Sequence, residues 1–181
     1  MRGLIALFLL VTPKIGWVQS PSLTERAILY NDGIVERQVE AGRLMNLFGR
    51  ELQKNQVRHA EQILMEIQST LQRHLKALET LPPFEGETAL RDAARELFQL
   101  YFSVVNHEYP AILAEYRAAE LTGRLQIERV RKLLEDIRFR EAKADAAFLA
   151  RQKEFAAKYG FPLRQNKLLN EFLLEDSPTG P

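Results

Sequence analysis

The chain has 181 residues, which suits a single domain with a buried core. Apolar residues make up 46% and charged residues 27%, with only 9 glycines and 8 prolines, so the composition excludes a fibrous or intrinsically disordered protein. The formal net charge of +1 gives no overall attraction for nucleic acid or anionic lipid. Because the chain has no cysteine, disulfides, thiolate metal sites and a lipid anchor on cysteine are excluded.

The N-terminus has the pattern of a secretion signal. Met1 and Arg2 are followed by an apolar run from Gly3 to Val11. A run of about nine residues has the size of a signal-peptide core and is too short for a membrane span, which needs roughly 20. We expect residues 1–21 to be a signal peptide and the mature chain to be exported without a membrane span. A buried N-terminal segment and an uncleaved anchor are the alternatives.

Two amphipathic helices are predicted after this signal. Ser22 and Glu25 fit a capping box, in which two side chains satisfy backbone donors at the start of a helix. The apolar stripe of the first helix consists of Ala27, Tyr30, Ile34, Ala41, Met45, Phe48 and Leu52, and that of the second of Val57, Ala60, Leu64, Ile67, Leu71, Leu75 and Leu78. The stripe centres lie roughly 100° apart on one helical wheel, so we place a turn near Asn55 and Gln56.

The first helix contains the turn-like sequence Asn31-Asp32-Gly33. Its flanks lack the alternation of a β-hairpin, so we predict a continuous helix. Each glycine in a helix costs roughly 1 kcal/mol relative to alanine. Gly42 and Gly49 either allow a neighbouring helix to approach closely or form a locally soft polar site.

Two more helices follow the break at Leu81-Pro82-Pro83, since proline cannot occupy a helix interior without loss. The third stripe consists of Leu90, Ala94, Leu97, Tyr101, either Val104 or Val105, Ile112 and Tyr116. The fourth, after a turn at Thr122-Gly123, consists of Ile127, Val130, Leu134, Ile137, Ala144, Phe148 and Phe155. Gly160 and Pro162 end the fourth helix. Short connections make neighbouring helices antiparallel. The predicted fold is therefore all-α, an up-down-up-down four-helix bundle over residues 22–163, with a short helical extension and a disordered tail over residues 164–181.

Several polar residues fall on or beside the apolar stripes. Counting residues from the predicted turns puts Gln38, His74 and Gln152 at a similar height, which predicts a polar layer inside the bundle. Such a layer either fixes the helix register or binds a small ligand. Glu108 and Glu141 also lie near the centres of their stripes, and we expect an arginine partner for each.

The sequence predicts neither a metal site nor catalysis. A di-metal bundle needs a Glu-x-x-His pair on each of two helices. The residues three positions before His59, His74 and His107 are not acidic. A phosphate-binding loop, a nucleophile elbow and a Ser/His/Asp arrangement are also missing from the sequence, so no cofactor is expected.

Pro110 lies in the middle of the third predicted helix. It removes one backbone donor and presses against the carbonyl of Asn106, which predicts a kink. The freed carbonyl beside His107 and Glu108 is a second candidate ligand site. A kink that only fits the curvature of the bundle is the alternative.

Three short segments resemble a known family: Tyr30-Asn-Asp-Gly-Ile-Val-Glu-Arg-Gln38, Asn106-His-Glu-Tyr-Pro110 and Lys153-Glu-Phe-Ala-Ala-Lys-Tyr-Gly-Phe161. Similar segments occur in a family of exported bacterial proteins of unknown function, named after a leptospiral surface protein. The resemblance spans residues 25–163. It implies a helical fold and an extracytoplasmic location in a bacterium, either periplasmic or at the cell surface, and it supplies no catalytic residues. Many members look like lipoproteins, and this chain departs from them by lacking cysteine.

The sequence therefore predicts an exported helical-bundle protein with a binding or structural role. One alternative is an enzyme or small-ligand carrier that uses the polar layer. Another is assembly with a helical protein partner through an exposed apolar groove involving Phe172 to Leu174. The candidate ligand-binding residues are Tyr30, Asn31, Gln38, His74, His107, Glu108 and Gln152.

Overall fold

The computed structural model describes residues 20–163 and contains four α-helices: α1 (Leu23–Gln53), α2 (Val57–Thr80), α3 (Ala89–Thr122) and α4 (Ile127–Tyr159). The predicted signal segment up to residue 19 and the predicted extension over 164–181 lie outside the described residues. No β-strand occurs within residues 20–163. This confirms the predicted all-α class and is consistent with a four-helix bundle. None of these four helices is long and apolar enough to cross a membrane.

Local signals set the helix bounds. α1 begins with the predicted capping box: the backbone N–H of Glu25 donates to Ser22 Oγ at 3.2 Å, and the backbone N–H of Ser22 donates to Glu25 Oε2 at 2.7 Å. α3 and α4 end at Gly123 and Gly160, whose φ angles of 68° and 73° lie in the left-handed region that favours glycine. The predicted turn between α1 and α2 is confirmed, with Asn55 at a φ of 58°.

The turn-like sequence in α1 does not interrupt the helix. α1 runs without a break through Asn31, Asp32 and Gly33, as predicted. α3 likewise continues through Pro110. Local turn and breaker residues are therefore overridden at both positions by the packing of long amphipathic helices.

The core contains most of the predicted stripe residues. Fully buried side chains from the four helices include Ile34, Ile67, Leu71, Leu78, Leu90, Leu97, Phe98, Val104, Val105 and Phe155. Two predicted core residues are exposed: Ile127 is 59% exposed and Leu134 is 38% exposed. For these two residues the prediction is wrong.

The packing of α4 explains this difference. Each helix packs most extensively on the next one along the chain, whereas α1 packs on α4 to a much smaller extent. The hydrogen bonds that link α1 to α4 from Thr24, Gln38 and Gln152 all involve residues 145–159 of α4. The first half of α4 therefore has less cover from α1, and its apolar side chains on that side stay open to solvent.

Candidate functional site

A buried polar junction joins α1, α3 and α4. Gln38 Nε2 on α1 donates to Asp145 Oδ1 on α4 at 3.3 Å, and the Tyr101 hydroxyl on α3 donates to the same oxygen at 3.0 Å. Burial raises the pKa of Asp145. Burial, reinforced by the charge of Asp145, raises the pKa of Tyr101 well above its usual value, so this hydroxyl keeps its proton and acts as a donor. Three helices thus meet at one carboxylate oxygen.

Glu141 lies one helical turn before Asp145. Its Oε1 atom is buried and has no hydrogen-bond partner in the described part of the chain. Burial and then the charge of Asp145 raise the pKa of Glu141 to about 7, although Arg140 and Arg138 act in the opposite direction. The predicted arginine partner is confirmed for Glu108, which pairs with Arg140. For Glu141 the expected arginine partner stays a prediction, since Oε1 makes no hydrogen bond within residues 20–163 while the charges of Arg140 and Arg138 counteract the rise of its pKa.

Two other buried oxygen atoms also have no hydrogen-bond partner within residues 20–163. They are Oδ1 of Asn46 on α1 and the Oε2 atom of Glu108 on α3. Tyr109 on α3 stacks on Phe48 of α1, with ring centroids 4.6 Å apart. Burial, with a contribution from the charge of Glu141, raises the pKa of the Tyr109 hydroxyl. Since native proteins satisfy nearly all buried polar groups, these unpaired acceptors are unusual.

The two glycines of α1 lie in open space. On a helical wheel, Gly42 and Gly49 continue the row of Asn31 and Gln38 that faces α4. A Cβ atom at either glycine would meet no atom within 4 Å. The prediction that these glycines make room for bulky side chains of a close neighbour is therefore wrong, because none of the described residues comes within 4 Å of such a Cβ atom.

A second hydrogen bond between α1 and α4 lies towards the start of α1. Gln152 Nε2 donates to Asn31 Oδ1 at 2.9 Å, and Asn31 Nδ2 donates to Asp32 Oδ1 at 3.1 Å. The amide of Asn31 thus has both a donor and an acceptor contact. These groups are satisfied within the fold and are explained by helix packing.

Tyr30, one of the candidate ligand-binding residues, belongs to an aromatic cluster. Its ring lies 5.3 Å from that of Phe84 and 5.8 Å from that of Phe155, and its hydroxyl donates to the carbonyl of Pro82 at 3.1 Å. The complete cluster is Tyr30, Phe84, Phe155, Tyr159 and Phe161. It brings together two of the three segments that carry the family resemblance, and in this chain both serve packing.

His74 lies between α1 and α2. Its Nε2 atom is 3.0 Å from Oε2 of Glu40, but the two groups are not aligned for a hydrogen bond. Its ring meets that of Phe98 edge-on at 5.7 Å. Burial lowers the pKa of His74, and this outweighs the opposing charge of Glu40, so the imidazole is neutral at pH 7.

The structure does not bring the predicted polar layer together. Gln38 bonds to Asp145 and Gln152 bonds to Asn31, both between α1 and α4, whereas His74 faces a different helix pair. Residue counting estimates height along a bundle and carries no information about rotation around each helix. The three side chains therefore point into separate interfaces.

The residues around Pro110 also fail to converge. Gln68 Nε2 donates to Asn106 Oδ1 at 3.3 Å. His107 is exposed, while Glu108 turns towards Arg140 on α4. The predicted ligand site at the proline therefore has no common point at which its groups meet.

A surface groove lies between the end of α3 and the start of α4, and sequence reasoning missed it. We call it the α3–α4 groove; it has a volume of about 380 Å³ and is lined by Tyr116, Leu125, Ile127, Val130, Arg131, Leu134, Glu135 and Arg138. Leu121, close to it in sequence, is 90% exposed. The helical wheel assigned Ile127 and Leu134 to the core, which concealed the groove. The sequence signal that could have revealed the groove is the high density of charged residues around Ile127 and Leu134 on α4.

The described residues contain no group of three or more His, Cys, Asp or Glu side chains that could hold a metal ion. No family model, curated protein or solved structure matches this chain. The geometry therefore defines an all-helical protein with two distinctive features, the buried polar junction and the open α3–α4 groove.

Proposed function

We propose that this protein is an exported helical-bundle protein that acts by binding a protein partner and has no catalytic activity. The α3–α4 groove is the observation that carries the proposal. Its apolar residues Ile127 and Leu134 are open to solvent and line the same groove, and Leu121, a few residues earlier in the chain, is 90% exposed. A rimmed apolar surface of this kind is typical of a site for another protein.

The partner that fits the groove is an amphipathic helix. Ile127 and Arg138 are 11 residues apart on α4, so the groove extends about 17 Å at 1.5 Å per residue, or about three helical turns. Helix-in-groove recognition needs an apolar floor of this length. The lining includes two arginines, Arg131 and Arg138, and one glutamate, Glu135; Arg131 also forms an exposed ion pair with Glu128 at 3.1 Å. Because exposed ion pairs are weak and a guanidinium has donors for a second carboxylate, the proposed partner helix has an acidic flank.

We also propose an up-down-up-down arrangement of the four helices and an extracytoplasmic location of the protein. Hydrogen bonds from Thr24 to the carbonyl of Tyr159 and from Gln38 to Asp145 pair the start of α1 with the end of α4, which supports an up-down-up-down arrangement. The N-terminal pattern supports a signal peptide over residues 1–21. The three motif segments support membership of the family named after the leptospiral surface protein, and with it a periplasmic or surface location in a bacterium. Cell fractionation with N-terminal sequencing of the mature protein tests export and cleavage together.

Partner binding is tested with a synthetic amphipathic helix that carries glutamates along its flanks and with the same peptide carrying lysines instead. Fluorescence anisotropy should show tighter binding of the acidic peptide. Leu134→Glu should weaken its binding at least about tenfold, which is about 1.4 kcal/mol. The matched control is Met65→Glu, because Met65 is an exposed residue of α2, 58% exposed and outside the groove.

Equal binding of the two peptides, or equal loss in both variants, would refute this function. A shortened chain that ends at Leu163 tests whether the protein's own residues 164–181 occupy the groove. If this shorter chain binds the peptide more tightly than the full chain, the groove belongs to the protein's own residues 164–181 and not to a partner.

The ligand-carrier and enzyme hypotheses have less support. Both depended on one of two sites. Gln38, His74 and Gln152 have separate partners, and at the Pro110 site His107 is exposed while Glu108 pairs with Arg140.

A further inference from the structure

α1 and α4 are joined by hydrogen bonds at one end of their interface, and α1 leaves open space at the other end. Asn31 meets Gln152 and Gln38 meets Asp145, seven residues apart on each helix. The same register places Gly42 opposite Glu141, one turn further along. At Gly42 a Cβ would meet no atom within 4 Å. α1 therefore supplies hydrogen-bonding amides to the second half of α4 and leaves open space opposite Glu141.

Among residues 20–163, Oε1 of Glu141 is buried without a hydrogen-bond partner, while Asp145 one turn away receives bonds from Gln38 and Tyr101. A buried neutral carboxyl tolerates such a site far better than a carboxylate does. When Glu141 ionises, its charge also acts on Asp145 on the same face of α4.

The groups that face Glu141 come from α3 and α4. α3 contributes the acid Glu108 and the hydroxyls of Tyr101 and Tyr109, and α4 contributes Asp145, Arg138 and Arg140. Arg140 is already engaged with Glu108 and, at 3.0 Å, with Asp136. On the α1 side stand the neutral Gln38 and Gly42, and α2 does not pack against α4 in the described structure. α1 therefore offers no cation that could compensate the ionised form.

We propose that the protonation state of Glu141 controls how closely the first half of α4 packs against α1. In the neutral form α4 keeps the spacing from α1 that is described above, with the Gln38–Asp145 bond formed and space already left at Gly42 and Gly49. In the ionised form the carboxylate needs water, and the low-cost route is separation of the two helices where α1 already leaves space. Hydrogen bonds of Asn31 with Gln152 and of Thr24 with Tyr159 keep the other half closed. This inference does not depend on the proposed partner.

Spin labels can measure the separation directly because the chain has no native cysteine. Arg50→Cys and Lys132→Cys place labels on exposed positions at the end of α1 and the start of α4. Pulsed electron–electron double resonance should show a longer and broader distance distribution at pH 8.5 than at pH 5.5. The midpoint of this change with pH should lie near the Glu141 pKa of about 7. The control pair, Glu36→Cys with Ala150→Cys, spans the hydrogen-bonded half and should give the same distance at both pH values.

Two further variants test whether Glu141 causes the pH dependence of the distance. Glu141→Gln should remove the pH dependence of the 50–132 distance, whereas Glu135→Gln, at an exposed carboxyl of the same helix, should retain it. The proposal is overturned if the distance is independent of pH, if Glu141→Gln still shows the change, or if the control pair moves equally. Should Glu141→Gln fail to fold, carboxyl ¹³C titration of the unaltered protein decides: a Glu141 midpoint equal to that of exposed glutamates overturns the proposal.

Discussion

Replacement of Glu141 by glutamine should stabilise the protein at alkaline pH. Glutamine has the shape of the protonated acid and cannot ionise, so it removes the free-energy cost of a buried carboxylate. Burial raises the pKa of Glu141 from 4.5 to about 7. One pKa unit corresponds to about 1.4 kcal/mol, so the charged form costs the folded state about 3 kcal/mol.

The direction of the pH dependence follows from proton linkage. Between the unfolded pKa of 4.5 and the folded value of about 7, the folded chain holds a proton that the unfolded chain has released. Stability therefore falls as pH rises through this window, and the loss is complete above the folded pKa. Asp145, whose pKa is also raised, contributes with the same sign. His74, whose pKa is lowered, contributes with the opposite sign, so only the difference between unaltered and variant chains isolates Glu141.

Urea unfolding followed by circular dichroism at pH 5 and pH 8.5 provides the measurement. The stability advantage of Glu141→Gln should grow by about 2 to 3 kcal/mol between these values. Glu135→Gln, at an exposed carboxyl, should show no such growth. If the two variants behave alike, the carboxyl of Glu141 is hydrated in solution and the account of the buried polar junction is wrong.

Three further predictions test the helices and the core by chemical denaturation. Gly42→Ala should stabilise the chain by about 1 kcal/mol, because α1 is helical there and the added Cβ meets no atom within 4 Å. Gly160→Ala should destabilise the chain by about 1 kcal/mol, because the φ angle of Gly160 is +73°. The same sign for both substitutions would contradict the packing described. Ser22→Ala should lose about 1 kcal/mol with the capping box, and Ser22→Asp should retain most of it. Phe155→Ala, at a side chain only 1% exposed in the aromatic cluster, should cost about 3 to 5 kcal/mol, and a loss below about 1 kcal/mol would show that the cluster is not core.

The sequence was sufficient for the helices themselves. The capping box at Ser22 starts α1, and left-handed glycines at 123 and 160 end α3 and α4. The 3.6-residue spacing correctly predicted that α1 continues through Asn31-Asp32-Gly33. These features depend on hydrogen bonds and steric contacts within a few residues, so the local sequence contains the necessary information.

The sites were predicted less well. Gln38 and Gln152 were correctly placed facing inward, yet they bond to Asp145 and Asn31 and not to each other or to His74. A helical wheel gives the direction of a side chain relative to its own helix axis. It gives no information about which neighbouring helix that side chain will meet.

What the sequence alone determined, therefore, is the all-α class and, over residues 20–163, four helices with the turns between them. The tertiary structure decided that α1 packs only partly on α4, that Ile127 and Leu134 are exposed, and that Oε1 of Glu141 is buried with no hydrogen-bond partner in the described part of the chain. The physical reason is the range of the interactions. Helix bounds follow from contacts within one turn, whereas burial and pKa follow from how closely residues distant in sequence approach each other.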